Sequence, residues 1–302
     1  MKIIKAIIYL DFALCTLNFA LFPRPAFAQS LSLSISPPIA EIMVMPGKQA
    51  IVAYTITNSS ETDLVIIPKL VAFEPNGEEG LIRFSKSTHP ISNYFSFDSG
   101  EKFEQPFSLK IGQEKQLSLK IAIPKDAFEA DYYQTIVFST QDLNNEADNN
   151  TGSITQIGSN LLLTISNTGE PYLSASIEEF SSLKIIDSFS PINFNLRIKN
   201  SGNTLFKPFG GIKITGWLDQ KKEIKILEEN ILARSVRKIS VEPYRPALPI
   251  GVFKAKVEFQ PNELPPPVNQ VITFIYLPYR LLLAVVGLVL IKIAFKTLRK
   301  KR

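Results

Sequence analysis

The chain carries one histidine, His89, within Ser87-Thr88-His89-Pro90. A lone imidazole cannot build a His-based metal cluster. It could serve a nucleophile as base, but no G-x-S-x-G elbow frames a serine, and the one cysteine, Cys15, lies in an apolar leader. A Walker A loop and a dinucleotide fingerprint are also missing. The acidic run Glu74-Pro75-Asn76-Gly77-Glu78-Glu79-Gly80 lacks the D-x-[DN]-x-[DN]-G order of a calcium loop. It reads as a hairpin turn with Asn76-Gly77 as its tight corner. Nothing points to a glycosidase-type pair of carboxylates. No catalytic, metal-binding or cofactor-binding residue is assigned, no cofactor is expected, and the chain reads as a non-enzyme.

Binding chemistry leaves a few candidates. Tyr94, Phe95 and Phe97 sit in Ser92-Asn93-Tyr94-Phe95-Ser96-Phe97, where Phe95 and Phe97 share a face that serves either a core or a surface ligand. Trp217, in Gly216-Trp217-Leu218-Asp219, suits core packing or a rim contact. The polar segment Gln141 to Gly152 reads as a hairpin tip. Residues 197–216, RIKNSGNTLFKPFGGIKITG, place Asn200-Ser201-Gly202-Asn203 between two apolar runs, as a ligand loop or as a chain reversal. Ligand-binding residues are left unassigned.

The elements that must position these residues lie between two membrane signals. Lys2 and Lys5 precede the apolar run Phe12 to Phe22, then Pro23-Arg24-Pro25 and Ala26-Phe27-Ala28. That is the order of a secretory signal, residues 1–28. Asp11 inside it speaks against a retained anchor, since a carboxylate at mid-membrane costs about 2.5–3.5 kcal/mol. Near the other end, 19 residues from Leu277 to Phe295 are apolar but for Arg280 and Lys292. As a helix they span about 28 Å, one hydrocarbon core. We therefore expect one transmembrane helix over 278–296 and a basic tail over 297–302, cytoplasmic by the positive-inside rule. The formal net charge of +5 belongs to these ends. Residues 1–28 carry +2 and residues 278–302 carry +7, which leaves −4 for the stretch between. That balance excludes nucleic acid as a partner. Removal of the signal would leave no cysteine, so an exported chain would depend on its cores alone.

Between the membrane signals the period is two. Leu117, Leu119, Ile121 and Ile123 alternate with Ser118, Lys120 and Ala122, and Ile192, Phe194, Leu196 and Ile198 alternate with polar residues. Phe253, Ala255, Val257 and Phe259 do the same. Such runs, with frequent Pro and Gly-Asn turns, predict β-sandwiches. The pattern also repeats. Tyr54-Thr-Ile-Thr-Asn58-Ser59-Ser60 matches Leu196-Arg-Ile-Lys-Asn200-Ser201-Gly202, and Leu117 to Phe138 matches Arg237 to Phe259 as strand, proline corner, strand. In this match Tyr132, Ile136 and Phe138 fall opposite Phe253, Val257 and Phe259. The expected fold is all-β, with two tandem Ig-like sandwiches over 29–167 and 168–277. The turn cluster Ser166 to Pro171 is the boundary, and Pro265-Pro266-Pro267, a rigid turn or a polyproline ligand, joins the last two strands. The repeat makes Asn200-Ser201-Gly202 a chain reversal used twice.

With Pro46-Gly47 ahead of YTITNSSETDLVI, then KQLSLKIAIPKDAFEADYYQTIVF, and this order of signal, two sandwiches, helix and basic tail, the chain resembles the WxL-interacting proteins of Gram-positive surfaces. The resemblance implies peptidoglycan binding by the first domain and binding of a surface partner or host protein by the second. It carries over no individual residue. The chain is not the WxL partner itself, because Leu218 follows Trp217 directly.

The function expected first is thus a non-catalytic, single-pass protein of the cell surface that binds peptidoglycan, a surface protein, or both. Two other readings are a periplasmic-chaperone-like assembly factor that donates or accepts a β-strand, and a passive spacer. An exposed, unpaired edge strand in the first domain would favour the chaperone-like reading.

Overall fold

The computed structural model describes residues 32–85, 90–140, 155–170, 172–247, 250–261 and 266–300. The leader with Cys15, His89, the segment Gln141 to Gly152, Pro171, Pro265 and the last two residues of the tail lie outside them. The described chain is mostly β, with one apolar helix near its C-terminal end.

Strands are numbered along the chain. In the first half, β1 (Leu33–Ser36), β3 (Gln49–Asn58), β8 (Glu114–Ala122) and β6 (Phe95–Phe97) form one sheet in that order. A second sheet runs β2 (Ile39–Val44), β10 (Gln156–Ile165), β9 (Ala130–Thr140), β4 (Leu64–Asn76), β5 (Leu81–Phe84), with β7 (Phe107–Leu109) also on β4. The period-two pattern explains the layering. On β8, Leu117, Leu119 and Ile121 are fully buried, while Gln116, Ser118 and Lys120 point the other way. They meet Tyr54 and Ile56 of β3 and, from the facing sheet, Ile66, Ile136, Phe138, Leu161 and Leu163 in one core. Each such side chain stabilises the fold by about 1.5–3 kcal/mol on burial.

The second half repeats the plan. Strands β11 (Ala175–Ser181), β13 (Asn195–Asn200) and β16 (Val236–Ile239) make the small sheet. The large sheet is β12 (Ile185–Asp187), β18 (Val268–Leu277), β17 (Gly251–Gln260), β14 (Phe209–Thr215), β15 (Lys221–Lys225). The strand order corresponds, except that β6 and β7 of the first half have no counterpart among the described strands of the second. Each large sheet starts with a parallel pair, β2 on β10 and β12 on β18. Leu196, Ile198, Ile212, Phe253, Val257, Phe259 and Phe274 fill a second core.

The repeated asparagines hold the same place in both halves. Asn200 is fully buried; its Nδ2 donates to the carbonyls of Thr204 (2.8 Å) and Ile231 (3.0 Å), and its Oδ1 accepts from Gly202 N–H (2.9 Å). Asn58 does the same with Thr62 (2.9 Å), Leu109 (3.0 Å) and Ser60 N–H (2.9 Å). Residues 197–216 are therefore two strands joined by an Asn-anchored reversal. In their second strand, Gly210 lies against β17 so closely that a Cβ would stand 2.2 Å from the Glu258 carbonyl oxygen.

Two expectations are corrected in detail. The β4–β5 hairpin pairs Asn76 with Leu81, so its turn is the four residues Gly77 to Gly80, not a two-residue Asn76-Gly77 corner. Gly77 and Gly80, at φ of 72° and 77°, close it. The helix, α1 (Tyr279–Lys300), has 22 residues where 278–296 was expected, because nothing in Lys296 to Lys300 breaks it. It is about 33 Å long. It is long and apolar enough to cross a membrane, and its apolar side chains pack on no other described element.

Candidate functional site

The chain crosses from one sheet to the other at Pro37-Pro38, which supply no backbone donors, and β2 then becomes the outer strand of the large sheet. In a parallel ladder one strand bonds its neighbour through alternate residues. Asn160 N–H donates to the Pro38 carbonyl (3.0 Å) and Ser166 N–H to the Val44 carbonyl (3.3 Å). Pro38, Ala40, Ile42 and Val44 therefore face β10. The backbone groups of Ile39, Glu41 and Met43 face outward, and no described strand pairs with them.

Open edges in folded proteins are normally guarded by charge, proline or a covering element. On β2, Ile39 is 49% exposed and Met43 45%. The one charge, Glu41, is occupied elsewhere. Its carboxylate accepts from Lys207 Nζ (2.9 Å) and Asn230 Nδ2 (2.6 Å) of the second half. Burial works against its ionisation, yet these two hydrogen bonds and the Lys207 charge outweigh that and hold its carboxyl below the usual range.

The second half is fixed beside this edge by polar contacts. Arg197 of β13 forks onto the Glu78 carboxylate at the β4–β5 turn, with Nε to Oε2 at 2.6 Å and a second bond to Oε1. Lys238 N–H donates to the Glu78 carbonyl (2.8 Å). The hydrogen bond from Arg197 holds the Glu78 carboxyl low. On β9, Asp131 accepts from Thr164 Oγ1 (2.7 Å), Tyr133 Oη (2.7 Å) and Leu205 N–H (2.5 Å). Tyr133 Oη in turn accepts from Ala233 N–H (2.8 Å). Burial raises the Asp131 carboxyl despite its three donors. Burial also raises the Tyr133 phenol, with the Asp131 charge adding to it.

Next to the open edge, a groove of about 100 Å³ separates the halves. Ile39, Phe73, Leu81, Leu162, Leu232 and Val236 line it. An open backbone edge beside apolar side chains can hold an extended peptide: the edge supplies hydrogen bonds, and the groove takes alternate side chains. Among the described residues, no three His, Cys, Asp or Glu side chains stand close enough to hold a metal.

Phe95 and Phe97 lie in the first core and Tyr94 packs against it, so the first two offer no surface platform. Trp217 is 56% exposed at the far end of the second half, away from β2. Glu78 of the acidic run binds Arg197. Glu41, Asp131 and Arg197 were missed in the sequence. Periodicity says nothing of which residues meet across halves; the one available signal was the charge-poor run Ile42 to Gly47 after Pro37-Pro38.

No protein-family model matches the chain, and no curated protein sequence matches it. Solved structures of similar shape include the class 5 fimbriae chaperone CfaA, at 11% identity and TM-score 0.44, over 80% of this chain and 99% of that one. The E. coli chaperone DraB aligns at 12% identity and TM-score 0.39, over 80% and 99%. A chain of the CsuC–CsuE chaperone–tip adhesion subunit pre-assembly complex of Acinetobacter baumannii aligns at 11% identity and TM-score 0.38, over 80% and 98%. At scores this low the likeness carries no argument about function or partner.

Proposed function

We propose that this chain is a non-catalytic, membrane-tethered binding protein that takes up an extended segment of a partner protein along β2, as an assembly factor does. Residues 1–28 export it, 29–167 and 168–277 form two Ig-like domains, and α1 anchors it with the tail in the cytoplasm and the rest outside. The observation that carries this is the open edge of β2, with Ile39 and Met43 exposed and Glu41 engaged by the second half. The wall-polymer reading has less behind it, since Phe95 and Phe97, the candidates for stacking on sugars, are in the core.

Met43→Pro removes an outward donor and leaves the bonds to β10 intact. A photo-crosslinker in place of Ile39, in cells, should capture one defined partner segment, and Met43→Pro should abolish the adduct at unchanged protein level. Crosslinks indifferent to Met43→Pro would reject strand addition. Retention of the purified ectodomain on isolated cell wall, above an unrelated sandwich control, would favour peptidoglycan instead. Membership of the WxL-interacting group is tested by neighbouring genes with tandem W-x-L motifs. A hydrolase screen on peptidoglycan and glycans tests the absence of catalysis.

A further inference from the structure

The end of the second half that meets α1 exposes several large apolar side chains beside the exposed Asp219–Lys221 ion pair. Strand β18 ends at Leu277 and α1 begins at Tyr279, with Pro278 alone between them. Gly251, the first residue of β17, pairs with Tyr276, and Thr215, the last of β14, pairs with Lys254. The turn after Thr215 and the segment before Gly251 therefore lie at the helix entry. That turn presents Trp217 (56% exposed) and Leu218 (68%), and Ile250 beside it is 50% exposed. Trp217 packs directly over Gly251, where a Cβ would lie 2.8 Å from its own Cβ.

Two features show that this end is built and held. Leu218 and Asp219 both have left-handed backbones, at φ of 56° and 61°, although neither is glycine. That conformation turns Leu218 outward. Separately, the buried carboxylate of Asp187 accepts from Phe189 N–H (3.0 Å) and from Arg280 N–H in the first turn of α1 (3.0 Å). One side chain thereby ties the loop carrying Phe189, itself 62% exposed, to the helix.

We propose that Trp217, Leu218, Phe189 and Ile250 form a collar that rests in the interfacial layer of the bilayer crossed by α1. The occupant of this surface is lipid, because the patch surrounds the point where the chain would enter the membrane, and indole and apolar side chains favour that layer. Lys222 and Lys254, both exposed nearby, suit anionic headgroups. The proposal rests on the reading of α1 as a membrane anchor.

Trp217 is the only tryptophan in the chain, so its fluorescence reports the collar without a label. The full chain is reconstituted in phosphatidylcholine–phosphatidylglycerol vesicles, and flotation after carbonate washing reads the anchor. Lipids brominated near the headgroup should then quench Trp217 about twofold, and acrylamide should quench it less than it quenches free tryptophan amide. Leu218→Asp, which suits a left-handed backbone better than leucine, should cut the lipid quenching at least by about half while the chain still floats. A floating chain with full acrylamide quenching and no lipid quenching overturns the collar and leaves the anchor standing. Shielding from both quenchers means that protein covers Trp217, which also overturns it. A chain that fails to float overturns the anchor and the collar together.

Discussion

Replacing Asn200 with alanine removes three hydrogen bonds at a fully buried site. At about 1 kcal/mol net per bond the loss is roughly 3 kcal/mol, and more if the stranded groups find no water. Of the carbonyls left behind, that of Ile231 keeps a bond from Phe206 N–H (3.2 Å) and that of Thr204 lies in a buried residue, so the loss stays near that figure. The same change at Asn58 should cost less, by about 1 kcal/mol, for a reason visible in the structure. Ser60 Oγ lies 2.9 Å from the Thr62 carbonyl and can keep that group paired, whereas the matching residue of the second half is Gly202. In urea, with a slope of about 2 kcal/mol per molar, Asn200→Ala should move the midpoint down by about 1.5 M. Trp217 fluorescence reads the second half and far-ultraviolet circular dichroism reads the whole. Asn200→Asp, which turns a carboxylate oxygen toward two carbonyls, should fare no better than alanine. A midpoint shift below about 0.5 M, or a larger loss at Asn58 than at Asn200, would refute the claim that these side chains hold the reversals.

The Glu78–Arg197 contact gives a pH signature. The folded carboxyl of Glu78 titrates below its unfolded value, so its contribution is present above the ordinary glutamate range and is lost as pH falls through the lowered value. Glu78→Gln should therefore be less stable than wild type at pH 7, and the gap should close on acidification through that range (about pH 4 and below) in denaturant titrations. Gly210→Ala should cost at least about 2 kcal/mol, because the new methyl meets the Glu258 carbonyl and β17 cannot yield without opening the sheet; a calorimetric scan checks it. Ile42→Pro should lower the melting temperature by breaking the bond to β10, while Met43→Pro should leave it nearly unchanged. In nanodiscs, Asp187→Ala should broaden the distance distribution from a spin label at the exposed Phe128 site to the bilayer surface.

Strands and repeat were legible because burial of one face writes a period of two into the sequence, as on β8 and β17. The reversals were legible because Asn58 and Asn200 hold the same place in matching runs. The open edge of β2 was not. Whether a strand lies at the margin or the centre of a sheet depends on what pairs beside it, and β2 has the same alternation either way. The contact between Glu41 and Asn230 joins residues 189 apart, and no local pattern marks such a pair. Trp217 was legible as an aromatic of two possible roles; only the strand registers put it at the helix entry.

Asp187 also decides how force would travel. With Pro278 as the only residue between β18 and α1, and the Asp187 carboxylate joining the loop after β12 to the first turn of α1, the molecule has no slack tether at its base. A pull on β2 would act through a stiff lever and reach α1 as a torque. A partner held there would tilt the helix instead of stretching a linker.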